Sequence, residues 1–289
     1  MRLAALSGRA VVLAGDGAVD IHAASGGQFG PDPMDVLADW DEFVSWAAVS
    51  PLPAPEAFDT ASLGAPAPRP RQVFAVALNY PPHAAEAGYV PPEIPLLFTK
   101  FPSSITGPSA PVTLPDGHVD WELELVAVMA RDAYRVPAAQ GWEAVAGVMA
   151  GQDLSERKLQ LTGAPPQFSL AKSYPGFGPT GPALVTPDEL PDRDDLTLTC
   201  TLNGELVQYA HTSEMIFPVP RLVEFITAVC PVYAGDLIFT GTPAGVGNRR
   251  VPPRFLGPGD ILTGSIECIG TICQTFVRES QGPPVTPPV

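Results

Sequence analysis

The stretch Asp120-Trp121-Glu122-Leu123-Glu124-Leu125-Val126-Ala127-Val128-Met129 decides how this chain folds. It reads as a β-strand, because alternate side chains of a strand point to opposite faces. Leu123, Leu125, Ala127 and Met129 then form one apolar face. Glu122 and Glu124 share the other face, with Val126 and Val128 beyond them. Two neighbouring carboxylates repel each other and are costly to remove from water. A hard divalent cation held by oxygen ligands removes both difficulties. The competing expectation is a solvated strand edge.

Around this strand the chain is strand-rich and punctuated by 36 prolines and 27 glycines, which excludes a helical bundle and implies long, shaped loops. Strands are expected at 73–78, 122–130, 195–203, 205–209, 236–240, 261–269 and 271–277. Asn203-Gly204 marks a tight hairpin. Helices are expected at 35–48, 138–149 and 219–229, and the Gly/Pro-dense stretch after Lys172 reads as a loop. The organisation that follows is α+β: a small N-terminal α+β domain and linker over 1–70, a main domain over 71–278, and a fraying tail over 279–289.

With 289 residues and 45% apolar content the chain can build a large core. Its formal net charge of −15 argues against nucleic-acid and anionic-membrane partners. No stretch approaches the length of a membrane span or a secretory h-region. Cys200, Cys230, Cys268 and Cys273 form no close pair of the zinc-site type. Cys200, Cys268 and Cys273 lie in strand-like segments and read as small buried hydrophobes in a reduced, cytoplasmic protein.

Several other residues bear on chemistry. Asp153, in Gly151-Gln152-Asp153-Leu154-Ser155-Glu156-Arg157, offers either a third carboxylate for the cation or a helix N-cap with Glu156 as its capping-box partner. His83 and Glu86 share one face of a helical turn entered at Pro81-Pro82. They form either a carboxylate-oriented general base or a surface pair. Lys100 and Lys172 are each either solvated or catalytic. Gly241-Thr242-Pro243-Ala244-Gly245-Val246-Gly247 lacks the lysine and spacing of a P-loop, and reads as a tight loop whose N–H groups and Thr242 hydroxyl can hold an anion.

Together these segments resemble the fumarylacetoacetate hydrolase family. The marks run in family order from about Val73 to Val277: Ala77-Leu78-Asn79-Tyr80 with His83 and Glu86; Phe98-Thr99-Lys100; Asp120 to Glu124; Gln152-Asp153 with Arg157 and Gln160; Lys172-Ser173; Asn203-Gly204 with Gln208; Thr212 to Phe217; and Gly235-Asp236 followed by Thr240 to Pro243. The resemblance implies a mixed β-sandwich roll, usually a homodimer. It implies Mg²⁺ or Mn²⁺ on Glu122, Glu124 and Asp153, and a small 2-oxo acid as substrate. It further implies catalytic roles for His83, Glu86 and Lys172, and substrate contacts from Arg157, Gln160, Thr242 and Lys100. The implied reaction is hydrolysis of a C–C bond in an acylpyruvate-like 2,4-dioxo acid, giving pyruvate and a carboxylic acid. Oxaloacetate decarboxylation, isomerase, hydratase or lyase chemistry on a 2-oxo acid, and a non-catalytic binding protein are the alternatives. Pro81-Pro82, Lys158 and Cys230 to Ala234 depart from the common family pattern and bear on substrate identity.

Overall fold

Strand Leu123–Met129 is buried along its whole length, and its two faces enter two different cores. Leu123, Leu125, Ala127 and Met129 pack with Leu198, Cys200, Leu262, Ile272 and Phe276. Val126 and Val128 pack with Met149, Leu184 and Phe239, and in the same cluster with Val36, Leu37, Trp40 and Phe43 of the N-terminal helices. The alternation expected from sequence is therefore real, but neither face meets water. A buried leucine of this kind contributes on the order of 1.5–3 kcal/mol.

The computed structural model describes residues 1–278, so the expected tail at 279–289 lies outside the described residues. The fold is α+β and strand-rich, with two main sheets. The larger sheet runs, in spatial order, through Glu56–Ala57, Gly17–Asp20, Arg9–Ala14, Arg2–Leu6, Gly178–Val185, Val145–Gln152, Leu123–Met129, Leu237–Phe239, Val73–Ala77 and Leu96–Thr99. The second sheet runs through Glu205–His211, Thr197–Leu202, Ile261–Ile266, Gly270–Arg278 and Val112–Leu114. The core built on Leu123 and Leu125 lies between the sheets. Residues 1–70 add their strands to the larger sheet, where Arg2–Leu6 pairs with Gly178–Val185.

Several local expectations hold. Asn203 and Gly204 adopt φ of 53° and 84° and join Thr197–Leu202 to Glu205–His211, as a tight hairpin requires. The helix expected at 219–229 forms over Val219–Thr227. The helix expected at 35–48 is two helices, Pro33–Ala38 and Trp40–Val49, parted at Asp39.

Three local expectations fail, each for a tertiary reason. Residues 138–149 are not a helix: a 3₁₀ segment over Ala138–Ala144 leads into strand Val145–Gln152. That strand is crowded on its neighbours. A Cβ on Gly147 would come within 2.5 Å of the Val185 carbonyl oxygen, and one on Gly151 within 2.5 Å of Val126 Cγ2. Strand pairing thus overrides the local helical pattern. The Gly/Pro-dense stretch contains strand Gly178–Val185, and its register against Val145–Gln152 shifts between Val148 and Ala150, the kind of irregularity that admits proline into a sheet. Cys268 is exposed at φ 58° in the turn between two strands, rather than buried in one; Cys200 is buried and Cys273 half-buried. Among the described residues no helix is long and apolar enough to cross a membrane.

Candidate active site

Glu122, Glu124 and Asp153 meet because of one strand register. Leu123 pairs with Gln152 and Glu124 with Gly151, so the start of one strand lies beside the end of its antiparallel neighbour. Asp153 N–H donates to the Glu122 carbonyl at 2.9 Å, and Glu122 N–H donates to Gln152 Oε1 at 3.1 Å. The three carboxylates are buried, and each offers an oxygen within 4.8 Å of the others. They are not a solvated strand edge: Glu122 is 6% exposed and Glu124 1%. Asp153 is not a helix cap either. The short helix Arg157–Gln160 is capped by Glu156, which accepts from Lys158 N–H and Leu159 N–H.

Three cations press on this cluster. Lys172 Nζ donates to Glu122 Oε2 at 2.7 Å and Asp153 Oδ2 at 2.6 Å. Lys100 Nζ donates to Asp153 Oδ1 at 2.7 Å, to the Phe177 carbonyl at 3.1 Å and to the Lys172 carbonyl. Arg157 pairs with Asp120 and with Glu122, each at 2.7 Å. Both lysines are buried, so neither is the solvated side chain that sequence alone allows. Burial pushes the Glu122 carboxyl up, but the charges of Lys172 and Arg157 outweigh it and hold the group at about 2. Four carboxylates (Asp120, Glu122, Glu124, Asp153) thus face three cations, and Glu124 has no ion-pair partner among the described residues. Among the described residues its one hydrogen-bond donor is Gly241 N–H at 2.8 Å. Burial, with Asp153 and Glu122 alongside, drives its carboxyl well above the ordinary range. A converging, all-oxygen, charge-deficient set of this kind fits a hard divalent cation.

His83 and Glu86 lie on helix Pro81–Ala87. His83 Nδ1 is 2.7 Å from Glu86 Oε1, which leaves Nε2 for proton transfer. Gly245 N–H donates to both Glu86 oxygens, at 3.2 and 3.0 Å. The helix hangs on Asn79, whose side chain accepts from Phe217 N–H and donates to the carbonyls of Phe217 and Thr240. Leu78, just before it, turns at φ 57°.

The glycine loop does hold anions, but they are the protein's own carboxylates. Gly241 N–H binds Glu124, Gly245 N–H binds Glu86, and Gly247 N–H binds Asp120 at 2.7 Å. Gly245 sits at φ +110°, with the Val207 carbonyl oxygen 2.0 Å from where a Cβ would lie, so only glycine fits. Thr242 directs its hydroxyl proton to the Leu123 carbonyl at 2.9 Å and accepts from Gln208 Nε2 at 2.8 Å.

A cavity of about 430 Å³ opens onto this cluster. His83, Glu122, Arg157, Gln160, Lys172 and Thr242 line it, together with an apolar wall that includes Leu96, Leu97, Phe98 and Phe168. Glu124, Asp153, Glu86 and Lys100 stand behind these residues rather than on the wall. Lys100 in particular spends its donors on Asp153 and two carbonyls, which makes it a positioning residue for Asp153. Sequence reasoning assigned no role to Asp120, Asn79 or Gln208, which fix Arg157, the His83 helix and Thr242. All three are among the family marks in the sequence, but their partners lie far away in the chain, so no local pattern shows what each one holds.

Residues 72–277 match the fumarylacetoacetate (FAA) hydrolase C-terminal family, and the chain belongs to that family of enzymes acting on 2-oxo acids. Among curated relatives, human mitochondrial oxaloacetate tautomerase FAHD2A is 40% identical over 215 residues, covering 74% of this chain and 68% of the relative. Among solved structures, a Mycobacterium smegmatis protein provisionally designated HpcE is 56% identical with a TM-score of 0.94, covering 97% of this chain and 100% of the other. Maleylpyruvate hydrolase from Sphingobium sp. SYK-6, solved in complex with manganese(II) and pyruvate, is 28% identical with a TM-score of 0.79, covering 97% and 100%.

Proposed function

We propose that the chain is a divalent-cation-dependent hydrolase of acylpyruvate-like 2,4-dioxo acids, with Mg²⁺ or Mn²⁺ on Glu122, Glu124 and Asp153. One observation carries this reading: the His83–Glu86 dyad opens onto the same cavity as Glu122 and Lys172. A bound cation would supply Lewis-acid polarisation to the carboxylate and 2-oxo oxygens of the substrate. The side chains do the rest. His83 Nε2, its ring oriented by Glu86, takes a proton from water, and the hydroxide formed attacks the C4 carbonyl. Lys172 has used two of its three N–H donors on carboxylates, leaving one for the oxyanion at C4. Gln160 accepts from Arg157 Nη1 through its oxygen at 2.8 Å, which leaves its NH₂ free for the same oxyanion. Arg157 steers the substrate carboxylate. The C3–C4 bond then breaks, C4 leaves as a carboxylic acid, and C3 takes the proton back from His83 to give pyruvate. The apolar wall of Leu96, Leu97, Phe98 and Phe168 accommodates a carbon chain longer than that of oxaloacetate.

A second reading has its own support. The curated relatives at about 40% identity are oxaloacetate tautomerases. In that case His83 would shuttle a proton at C3 of oxaloacetate, with no attacking water. A product screen separates the two: purified protein with Mg²⁺ or Mn²⁺, offered acylpyruvates, fumarylpyruvate and the enol of oxaloacetate, with a chelator control. Chelator-sensitive release of pyruvate from acylpyruvates supports hydrolysis. Accelerated enol decay with no pyruvate release from any dioxo acid overturns it in favour of the tautomerase. We also propose a homodimer, which light scattering on the purified chain would test directly.

A further inference from the structure

The cavity runs from a buried floor to an exposed mouth. Glu122 and Lys172, on the floor, are 6% and 2% exposed, whereas Leu161 at the other end is 54% exposed. Arg249 and Gln167 are exposed lining residues with Leu161.

Arg249, Arg250 and Arg254 lie close together in sequence, yet their surroundings differ. Arg250 pairs with Glu205 at 3.1 Å and Arg254 with Asp260 at 2.9 Å, and neither lines the cavity. Arg249 does line it, and among the described residues its guanidinium has no ion pair or hydrogen bond. Arg71, Arg135 and Arg193 also lack an ion pair among the described residues, but each lies over an aromatic ring (Tyr233, Tyr134 and Trp142), and Arg249 does not. The other two cavity-lining cations, Lys172 and Arg157, are already engaged with Asp120, Glu122 and Asp153. Arg249 is thus the one cavity-lining cation that makes no ion pair with the protein among the described residues.

Its backbone is also tied to the floor. Arg249 closes the 3₁₀ turn Gly247–Arg249, and the N–H groups of Gly247 and Asn248 donate to Asp120 at 2.7 and 2.9 Å. The same carboxylate holds Arg157. The main chain that carries Arg249 is therefore held in place relative to the floor before binding, and only the side chain is left to order. Between floor and mouth, Leu97 and Phe98 present an apolar wall.

We propose that Arg249 is a specificity-determining residue that binds a second carboxylate at the far end of the substrate, so that the preferred substrate is a 2-oxo acid whose chain ends in a carboxylate. This rests on the 2-oxo acid reading above and narrows it to diacids. A guanidinium pairs with a carboxylate through two parallel N–H donors, a geometry that a methyl terminus cannot use.

The test compares two substrates of matched length: fumarylpyruvate, which ends in a carboxylate, and crotonylpyruvate, which ends in a methyl group. In Arg249→Met the ratio of kcat/KM for the diacid over the monoacid should fall about tenfold, carried by KM of the diacid. Arg249→Lys should recover part of the ratio, and added salt should erode the preference of the unaltered protein but not that of Arg249→Met. A ratio unchanged within about twofold overturns the proposal while leaving the hydrolase reading intact. If the unaltered protein turns over neither substrate, the hydrolase reading fails, and calorimetry decides the role of Arg249 separately. With Mg²⁺-loaded protein, 2-oxoadipate should then bind more tightly than 2-oxohexanoate, and Arg249→Met should abolish the difference. Equal binding of the two acids by the unaltered protein, or binding of neither, sinks the proposal.

Discussion

Replacing Lys100 by Met tests the central feature of the site, a cation buried against the Asp153 carboxylate. Methionine fills similar space but carries no donor. Lys100 is 1% exposed and gives its ammonium protons to Asp153 Oδ1 and to the carbonyls of Phe177 and Lys172. Removing it leaves one Asp153 oxygen and the Lys172 carbonyl without a donor, whereas the Phe177 carbonyl keeps Leu154 N–H at 3.1 Å. Breaking a buried ion pair from one side costs about 3–5 kcal/mol, and each orphaned acceptor adds about 1–3 kcal/mol. Against this stands the cost of burying the lysine itself: desolvation holds the Lys100 ammonium below its ordinary range despite Asp153. The net expectation is a loss of roughly 3–5 kcal/mol in the metal-free protein. For a chain of this size that is a drop of roughly 6–10 °C in melting temperature. Thermal unfolding followed by circular dichroism, with urea titration alongside, measures it. Lys100→Arg should not rescue, because a flat guanidinium does not fit a cage built for a point charge. A Lys100→Met protein within about 1 kcal/mol of the unaltered one would refute the reasoning, since Asp153 would then not need this partner.

Glu86→Gln should keep the fold but lower kcat for hydrolysis about 10²-fold or more, because His83 loses the carboxylate that orients its ring; steady-state kinetics on an acylpyruvate checks this. Glu124→Gln should leave the metal-free protein at least as stable, since it removes the cluster's one carboxylate with no ion pair among the described residues, and should abolish any rise in melting temperature that added Mg²⁺ or Mn²⁺ gives the unaltered protein. Acid should weaken the fold in a defined window. Glu122 is held at about 2 against an ordinary 4.5, so its contribution is complete above 4.5 and is lost as pH falls towards 2; Glu122→Gln should flatten stability across that window in acid titrations. Gly245→Ala should cost both stability and kcat, because a methyl group would meet the Val207 carbonyl at a left-handed φ and push away the N–H that anchors Glu86. Unchanged kinetics in that variant would show that the anchor is dispensable.

Much of the site was legible in the chain. Glu122 and Glu124 alternate with Leu123 and Leu125, so the strand and its two faces follow from a period of two. His83 and Glu86 are three residues apart on a helical turn, and the structure joins them at 2.7 Å. What failed was local pattern set against distant partners. Residues 145–149 read as the end of a helix in isolation, yet Val145–Gln152 pairs on both edges as a strand with Gly147 and Gly151 at its tightest contacts. In isolation Lys100 and Lys172 leave solvated and catalytic roles open, because the carboxylates they pair with lie 53 and 19 residues away in sequence.

The sequence by itself determined which side chains are available, the strand that carries two of the carboxylates, and the family order of the marks, because periodicity and short motifs are local properties. Only the tertiary structure decided how those groups act together. It set the register that brings Asp153 beside Glu122, and turned the glycine loop into a clamp for Glu124, Glu86 and Asp120. It also placed Arg249 at the cavity mouth with no ion pair among the described residues. Electrostatic balance depends on distance and burial, and both are fixed only when remote segments pack.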